Sequence, residues 1–159
     1  MNVARVVGSA VTGVLLLAAG SARAQEHYTE GPVWECSAYR TEPDQFNAYM
    51  KWLRNQFIPT AQEAKKQGLV LDTKIFVQTP REPTDWDVSI CSLYPSFGKA
   101  LDYDKGDDDR YKAIAAKQYK TPDEDKQREQ MKPRLALRKF LGTSFLREVN
   151  LRPPGAAPK

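Results

Sequence analysis

The chain has 159 residues, with 24 lysines and arginines, 20 acidic residues, one histidine and two cysteines. This length allows one domain with a core of its own. A zinc site needs four ligands, so one histidine and two cysteines predict no metal, and they argue against histidine-based catalysis and haem ligation. No run of lysine and arginine is free of nearby acids, so we expect no nucleic-acid partner.

The N-terminus has the pattern of a secretion signal. Arg5 precedes an apolar run over 6–19, and Ala22 and Ala24 are the small residues of a cleavage site. A membrane anchor is the alternative, but a spanning helix needs about 20 apolar residues. We therefore predict a signal peptide over 1–24, a periplasmic or secreted location, and no membrane association after cleavage. Losing its two arginines lowers the basic residues from 24 to 22 and the charge from +4 to +2.

The first part of the mature chain predicts a loose start, a strand and a long helix. Strand-forming residues are concentrated in 33–40. From Thr41 to Gly68, apolar residues recur at helical spacing. Pro59 should kink or split this helix, because proline lacks an amide donor. Gly68 should end it in the left-handed conformation.

The remainder predicts a hairpin, further helices and a last strand. Strands over 70–79 and 86–94 are joined by a proline-rich turn. The elements expected after them are helices over 95–101, 110–119 and 121–131, the last with Thr121 as N-cap, and a fourth strand over 144–151. Gly142 should break the chain before that strand. The basic stretch 126–139 is interpreted as a solvated helix face, and the tail 152–159 as disordered.

The element order predicts an α+β, ferredoxin-like βαββαβ fold, with a four-stranded antiparallel sheet and helices on one face. Over 32–151 the chain resembles the dimeric α+β barrel superfamily. The segments that carry the resemblance are the strand 34–40, the helix ending in Lys66-Gln67-Gly68, the hairpin through Asp85-Trp86-Asp87, and Ser96-Phe97-Gly98. The resemblance implies a homodimer whose two sheets face each other around a cavity. Its members include monooxygenases, haem-degrading enzymes and mutarotases; a domain without an internal histidine does not fit haem degradation.

Strand alternation predicts which side chains face the helices, because successive residues point to opposite faces. Trp34, Cys36 and Ala38 form an apolar set on the first strand, and Ile75, Val77, Val88 and Ile90 form the matching sets on the next two. We assign these sets to the core. Cys36 then lies on the core face and Cys91 on the other. We therefore expect no disulfide between them, although export would permit one.

The other faces of the strands give the candidate site, formed by Glu35, Tyr39, Lys74 and Asp87. Carboxylate, phenol and amine groups that converge in a cavity could bind a polar ligand or transfer protons. The alternative is an ordinary hydrogen-bonded dimer interface or a solvated open face of a monomer. This alternative is favoured on general grounds, because carboxylates on half-exposed strands are usually structural.

Two further patterns are weaker. The acidic segment 102–109 suggests calcium, but it fails the EF-hand pattern, and a solvated loop before a helix is the simpler interpretation. Trp34, Trp52 and Trp86 could stack on a carbohydrate, but packing in a core or interface explains them better.

Two functions from different classes stay open. The first is an exported protein that binds a small molecule or a partner in a polar cavity on the sheet face, without a cofactor. The second is a cofactor-independent monooxygenase or isomerase that uses the same four residues. The absence of a histidine from the domain favours the first.

Overall fold

The computed structural model describes residues 27–155, so the predicted signal peptide over 1–24 lies outside the described residues. The elements in chain order are β1 (Tyr28–Thr41), α1 (Phe46–Trp52), a π-helical turn (Leu53–Phe57), α2 (Ile58–Lys66), β2 (Asp72–Val77), β3 (Val88–Tyr94), α3 (Phe97–Leu101), α4 (Lys105–Tyr119), α5 (Glu124–Met131), a 3-10 turn (Lys132–Ala136) and β4 (Arg138–Leu151). Within 27–155, none of the helices is both long enough and apolar enough to span a bilayer.

The four strands form one antiparallel sheet in the order β2-β3-β1-β4. The outer strands of the two βαβ halves thus flank a central β1–β3 pair, which is the ferredoxin-like arrangement. The helices pack on one face. Tyr49 and Leu53 form a core cluster with Val88 of β3, and Ala64 of α2 packs with Ile114 of α4 in a second cluster. The predicted fold class is confirmed.

Pro59 splits the long helix as predicted. It occupies the first turn of α2, where its missing N–H is tolerated, and the residues before it form the π-helical turn Leu53–Phe57. In an ordinary helix, the carbonyl of Asn55 would accept a hydrogen bond from the amide at position 59, which proline lacks. It accepts one of 3.2 Å from Gln118 Nε2. The proline therefore creates a contact between the first helical layer and α4.

Aspartates begin α4 and α5, which the sequence placed differently. Asp104 accepts a hydrogen bond of 2.9 Å from the Asp107 amide, so α4 begins five residues before the predicted start. Asp123 accepts bonds from the Asp125 and Lys126 amides and is the N-cap of α5. The prediction of Thr121 as N-cap was wrong. Its hydroxyl accepts a hydrogen bond from the Asp123 amide, so it stabilises the N-cap residue from the segment before the helix.

The edge strand β4 is longer than predicted, and Gly142 lies inside it. Ala38 of β1 pairs with Gly142, whereas the next residue, Tyr39, pairs with Phe140. Leu141 is the extra residue of a β-bulge, and Gly142 has a φ of 154°, which glycine adopts most easily. The glycine therefore bends the strand and does not end it. β1 also begins at Tyr28, in the segment expected to be loose.

Cys36 and Cys91 form a disulfide, so the prediction that they would not bond was wrong. They are direct partners in the β1–β3 ladder, with Cα atoms 4.0 Å apart, and they share one face of the sheet. The error lies in β1. Tyr39 pairs with Val88, which packs against the helices, so the polar set on β1 faces the helices. Trp34, Cys36 and Ala38 lie on the open face.

Candidate functional site

A cavity lies between the helices and the sheet and consists of two adjoining lobes. The larger lobe has a volume of about 390 Å³ and a mostly apolar lining: Phe57, Ala61, Ala64, Val70, Tyr94, Tyr111, Ile114, Ala115 and Tyr119 are among its walls. The smaller lobe, of about 200 Å³, is lined by Glu35, Ser37, Tyr39, Ile90 and Arg138. Both lobes are also lined by Trp52, Phe57, Ser92 and Arg134, so these four residues mark the junction.

The π-helical turn explains why Trp52 and Phe57 both reach the cavity. In an α-helix, two residues five positions apart point to different sides of the helix, since one turn contains 3.6 residues. A π turn hydrogen-bonds residue i to residue i+5 and brings them back towards one side. The turn Leu53–Phe57 therefore lets two large aromatic side chains line one cavity.

Two arginine side chains, Arg134 and Arg138, line the smaller lobe. Arg134 comes from the 3-10 turn, and Arg138 is the first residue of β4. The Arg138 guanidinium carbon lies 3.4 Å from the centre of the Tyr39 ring and 5.1 Å from that of Tyr49. The Arg134 guanidinium carbon lies 5.6 Å from the centre of the Trp52 ring. Both cations are thus positioned by aromatic faces.

Within residues 27–155, neither arginine forms an ion pair with a carboxylate. In the same part of the chain, Nε of Arg134 and Nε and Nη1 of Arg138 are buried without a hydrogen-bond partner. Burial lowers the pKa of Arg138, and the neighbouring Arg134 charge lowers it further, while Tyr49 and Tyr39 oppose the shift. The lobe therefore contains buried cationic donors.

Three tyrosines of the larger lobe have raised pKa values. Burial raises the pKa of Tyr94, and the nearby Tyr111 and Glu35 raise it further, also as acceptors of a hydrogen bond from its hydroxyl. Burial likewise raises the pKa of Tyr111 and Tyr119. A tyrosine that keeps its proton can donate a hydrogen bond to a ligand but is a poor general base.

The four residues proposed from the sequence do not share one lining. Glu35 and Tyr39 line the smaller lobe, so their role in binding stays a prediction. Lys74 lies on the open face, with Nζ 5.0 Å from the centre of the Trp34 ring. Asp87 is only 8% exposed, and its carboxylate accepts hydrogen bonds from the amide (2.9 Å) and the hydroxyl of Thr41. Asp87 therefore stabilises the β1–β3 edge and does not face the cavity.

Sequence reasoning missed the two arginines. Arg134 and Arg138 belong to the basic stretch 126–139, which was interpreted as a solvated helix face. The helix ends at Met131, and the chain then turns back towards the sheet. Pro133, which disfavours a continued helix, was the available signal for this turn. No local pattern showed that the arginines would stack on Tyr39 and Trp52.

The acidic segment 102–109 is a helix start in which the acids pair with cations. Asp107 pairs with Lys99 and Arg110, and Asp109 with Lys105. Among residues 27–155, no group of three or more histidine, cysteine or acidic side chains is arranged to hold a metal ion. The interpretation of the segment as a solvated loop before a helix was wrong for 105–109, which form the first turns of α4, where acids favour the helix N-terminus.

Comparisons with known proteins add nothing to what the structure itself shows. No protein-family model and no curated protein matches the chain. One similar solved structure is a NIPSNAP family protein with unknown function from Agrobacterium tumefaciens str. C58. It is 12% identical, and the match covers 84% of this chain and 99% of that chain with a TM-score of 0.39. At this level of similarity the comparison carries no argument about function.

Proposed function

We propose that this protein binds a small organic molecule with a largely apolar body in the cavity between the sheet and the helices. The observation that carries the proposal is that an aromatic lobe of about 390 Å³ lies next to a lobe of about 200 Å³ with charged and polar groups, and that the two share four lining residues. Ligand sites are typically concave, mostly apolar and a few hundred Å³ in volume, with a small number of polar groups that fix orientation.

The positions of the four residues predicted from the sequence favour ligand binding over catalysis. The enzymatic alternative, a cofactor-independent monooxygenase or isomerase, required Glu35, Tyr39, Lys74 and Asp87 to converge. Lys74 and Asp87 lie outside the cavity. The buried tyrosines have raised pKa values and keep their protons, so they are suited to hydrogen bonding.

A cavity-filling variant tests the proposal. Ala61 lines the larger lobe, so Ala61→Phe should occupy the space that a ligand needs. Ala48, an exposed residue of α1, provides the matched control Ala48→Phe. The probes share a phenylbutyl body and carry a carboxylate, amide, amine or phosphate head group; binding is followed by tryptophan fluorescence and calorimetry. At least one probe should bind the native protein and the control but not Ala61→Phe. If no probe binds, or if Ala61→Phe binds as well as the control, the proposal fails.

Export remains part of the proposal. The Cys36–Cys91 disulfide supports it, because structural disulfides persist mainly in oxidising compartments such as the periplasm or the exterior of the cell. N-terminal sequencing of the protein from the producing cells should give a chain that begins at Gln25. A chain that begins at Met1 would contradict cleavage at the proposed site.

A homodimer formed through the open sheet face also remains a proposal. Phe76 and Leu146 on that face are 47% and 55% exposed, and Trp34 is the direct ladder partner of Leu146. A second copy of the chain could cover these side chains. Native mass spectrometry should show a dimer that Leu146→Glu disrupts. Leu101→Glu, at a 60% exposed position on α3, should leave the dimer intact. A monomeric native protein would refute the proposal.

A further inference from the structure

We infer that the ligand is an organic monocarboxylate, bound with its charged end against Arg134 and Arg138 and its apolar body in the larger lobe. This inference rests on the proposed binding function and specifies the chemical class of the ligand. It follows from the charge balance of the smaller lobe, from the guanidinium donors there, and from the position of that lobe at one end of an apolar space.

The charges of the smaller lobe favour a monoanion. Its charged lining consists of two guanidinium groups and one carboxylate, Glu35, which leaves one positive charge. Glu35 interacts with the Tyr94 hydroxyl and, within residues 27–155, forms no ion pair with either arginine. Buried charges are normally paired, and a single ligand carboxylate would supply the missing partner.

The donors of the two arginines point to the same chemistry. Tyr39 holds the face of the Arg138 guanidinium, which leaves the N–H groups around its edge to bind an acceptor. Nε of Arg134 and Nε and Nη1 of Arg138 are covered by protein atoms and lack a partner within residues 27–155, so they are not the donors that meet a ligand. The remaining guanidinium nitrogens of the two residues are not covered in this way, and hydrogen bonds between guanidinium and carboxylate are among the stronger ones. A bound carboxylate would accept hydrogen bonds from these nitrogens and also screen the repulsion between the two arginines.

The junction between the lobes sets the orientation of the ligand. Arg134 lines both lobes, together with Trp52 and Phe57, so the cationic end lies next to the aromatic walls. Tyr94 and Tyr111 continue the wall of the larger lobe. A carboxylate at the arginines therefore places the carbon chain or ring attached to it among aromatic and aliphatic side chains. A small inorganic anion would leave the larger lobe unfilled.

Matched head groups test the inference with the full mature chain. The probes are 4-phenylbutyrate, the corresponding amide, and the phosphate monoester of 4-phenylbutanol, titrated by calorimetry. Since hydrogen bonds to a charged group contribute about 1.5–3 kcal/mol, we expect the carboxylate to bind roughly tenfold or more tightly than the amide. Arg134→Met and Arg138→Met should each reduce this preference. Arg147→Met is the control, because Arg147 also lies on β4 and also stacks on a ring, that of Phe97, outside the cavity.

The possible results separate the two proposals. If the carboxylate and the amide bind equally, or if both cavity variants keep the native preference, the carboxylate inference is wrong while ligand binding stands. Tighter binding of the phosphate monoester would overturn the monocarboxylate class. Binding by no probe would overturn both proposals. Arg138→Lys guards against misfolding: it keeps the charge, and it should retain part of the preference that Arg138→Met loses.

Discussion

Reduction of the Cys36–Cys91 disulfide is expected to lower the free energy of unfolding by about 4 kcal/mol. The bond joins residues separated by 55 positions. In the chain-entropy description, a crosslink that closes a loop of this length removes about 14 cal/mol/K from the unfolded ensemble, which is about 4 kcal/mol at 25 °C. The two cysteines are already direct partners in the β1–β3 ladder, so the native sheet needs no rearrangement to hold the bond.

Urea unfolding with and without reductant measures this difference. With a denaturant slope of about 2 kcal/mol/M, the midpoint should fall by roughly 2 M on reduction. The double variant with Cys36→Ser and Cys91→Ser should match the reduced protein and show no further response to reductant. Mass spectrometry should show the native protein gaining two hydrogen atoms on reduction. Equal midpoints for oxidised and reduced protein would refute the reasoning, as would two free thiols in the untreated protein.

Three further predictions concern single side chains. Tyr49→Phe should raise the free energy of unfolding by about 1 kcal/mol in chemical denaturation, because the Tyr49 hydroxyl is buried without a partner within residues 27–155. Asp87→Asn should lower it by roughly 2 kcal/mol, since it weakens the charged hydrogen bonds from Thr41. Hydrogen bonds from the backbone amides at 81 and 82 lower the pKa of Asp85 in the folded protein. The ionised carboxylate therefore stabilises this turn at pH values above the ordinary carboxyl pKa. This stabilisation is lost only as the pH falls through the lower pKa of the folded state. A carboxyl NMR titration should show this lowered midpoint.

Matched controls sharpen these predictions. Tyr103 is 78% exposed, so Tyr103→Phe should leave stability unchanged. Asp102 is exposed, and Asp102→Asn should have a much smaller effect than Asp87→Asn. A destabilised Tyr49→Phe would indicate that the hydroxyl has a partner, such as a bound water. An Asp85 carboxyl that titrates near the usual value of about 3.9 would contradict the amide hydrogen bonds.

The order of strands and helices could be predicted because it depends on local patterns. Proline at position 59 broke the long helix, and alternating apolar residues identified Val88 and Ile90 as core side chains. The face of β1 could not be assigned in the same way. Its apolar residues, Trp34 and Cys36, are as compatible with an open sheet face as with a core. The register with β3 decided between them, and register depends on partners distant in sequence.

The candidate site was predicted less completely than the fold. Glu35 and Tyr39 do line a cavity, but it lies on the helix side of the sheet. Arg134 and Arg138 meet Trp52 and Tyr39, residues more than 80 positions earlier in the chain. A sequence shows that an arginine is present but not which ring will cover it. Stacking of this kind depends on tertiary structure, and the local sequence of 126–139 resembles any solvated segment.

The π-helical turn has a consequence for sequence variation in this chain. Its extra residue acts as an insertion in the helix, so loss of any one residue from Leu53–Phe57 would allow a regular α-helix to form there. Loss of one residue between Trp52 and Phe57 would place these two aromatic residues four positions apart, where an α-helix keeps them on one side. α1 and α2 would then keep their relative orientation, with Tyr49 against the sheet and Trp52 near Arg134. A shorter chain of this kind would therefore keep both its fold class and the aromatic wall beneath its first helix.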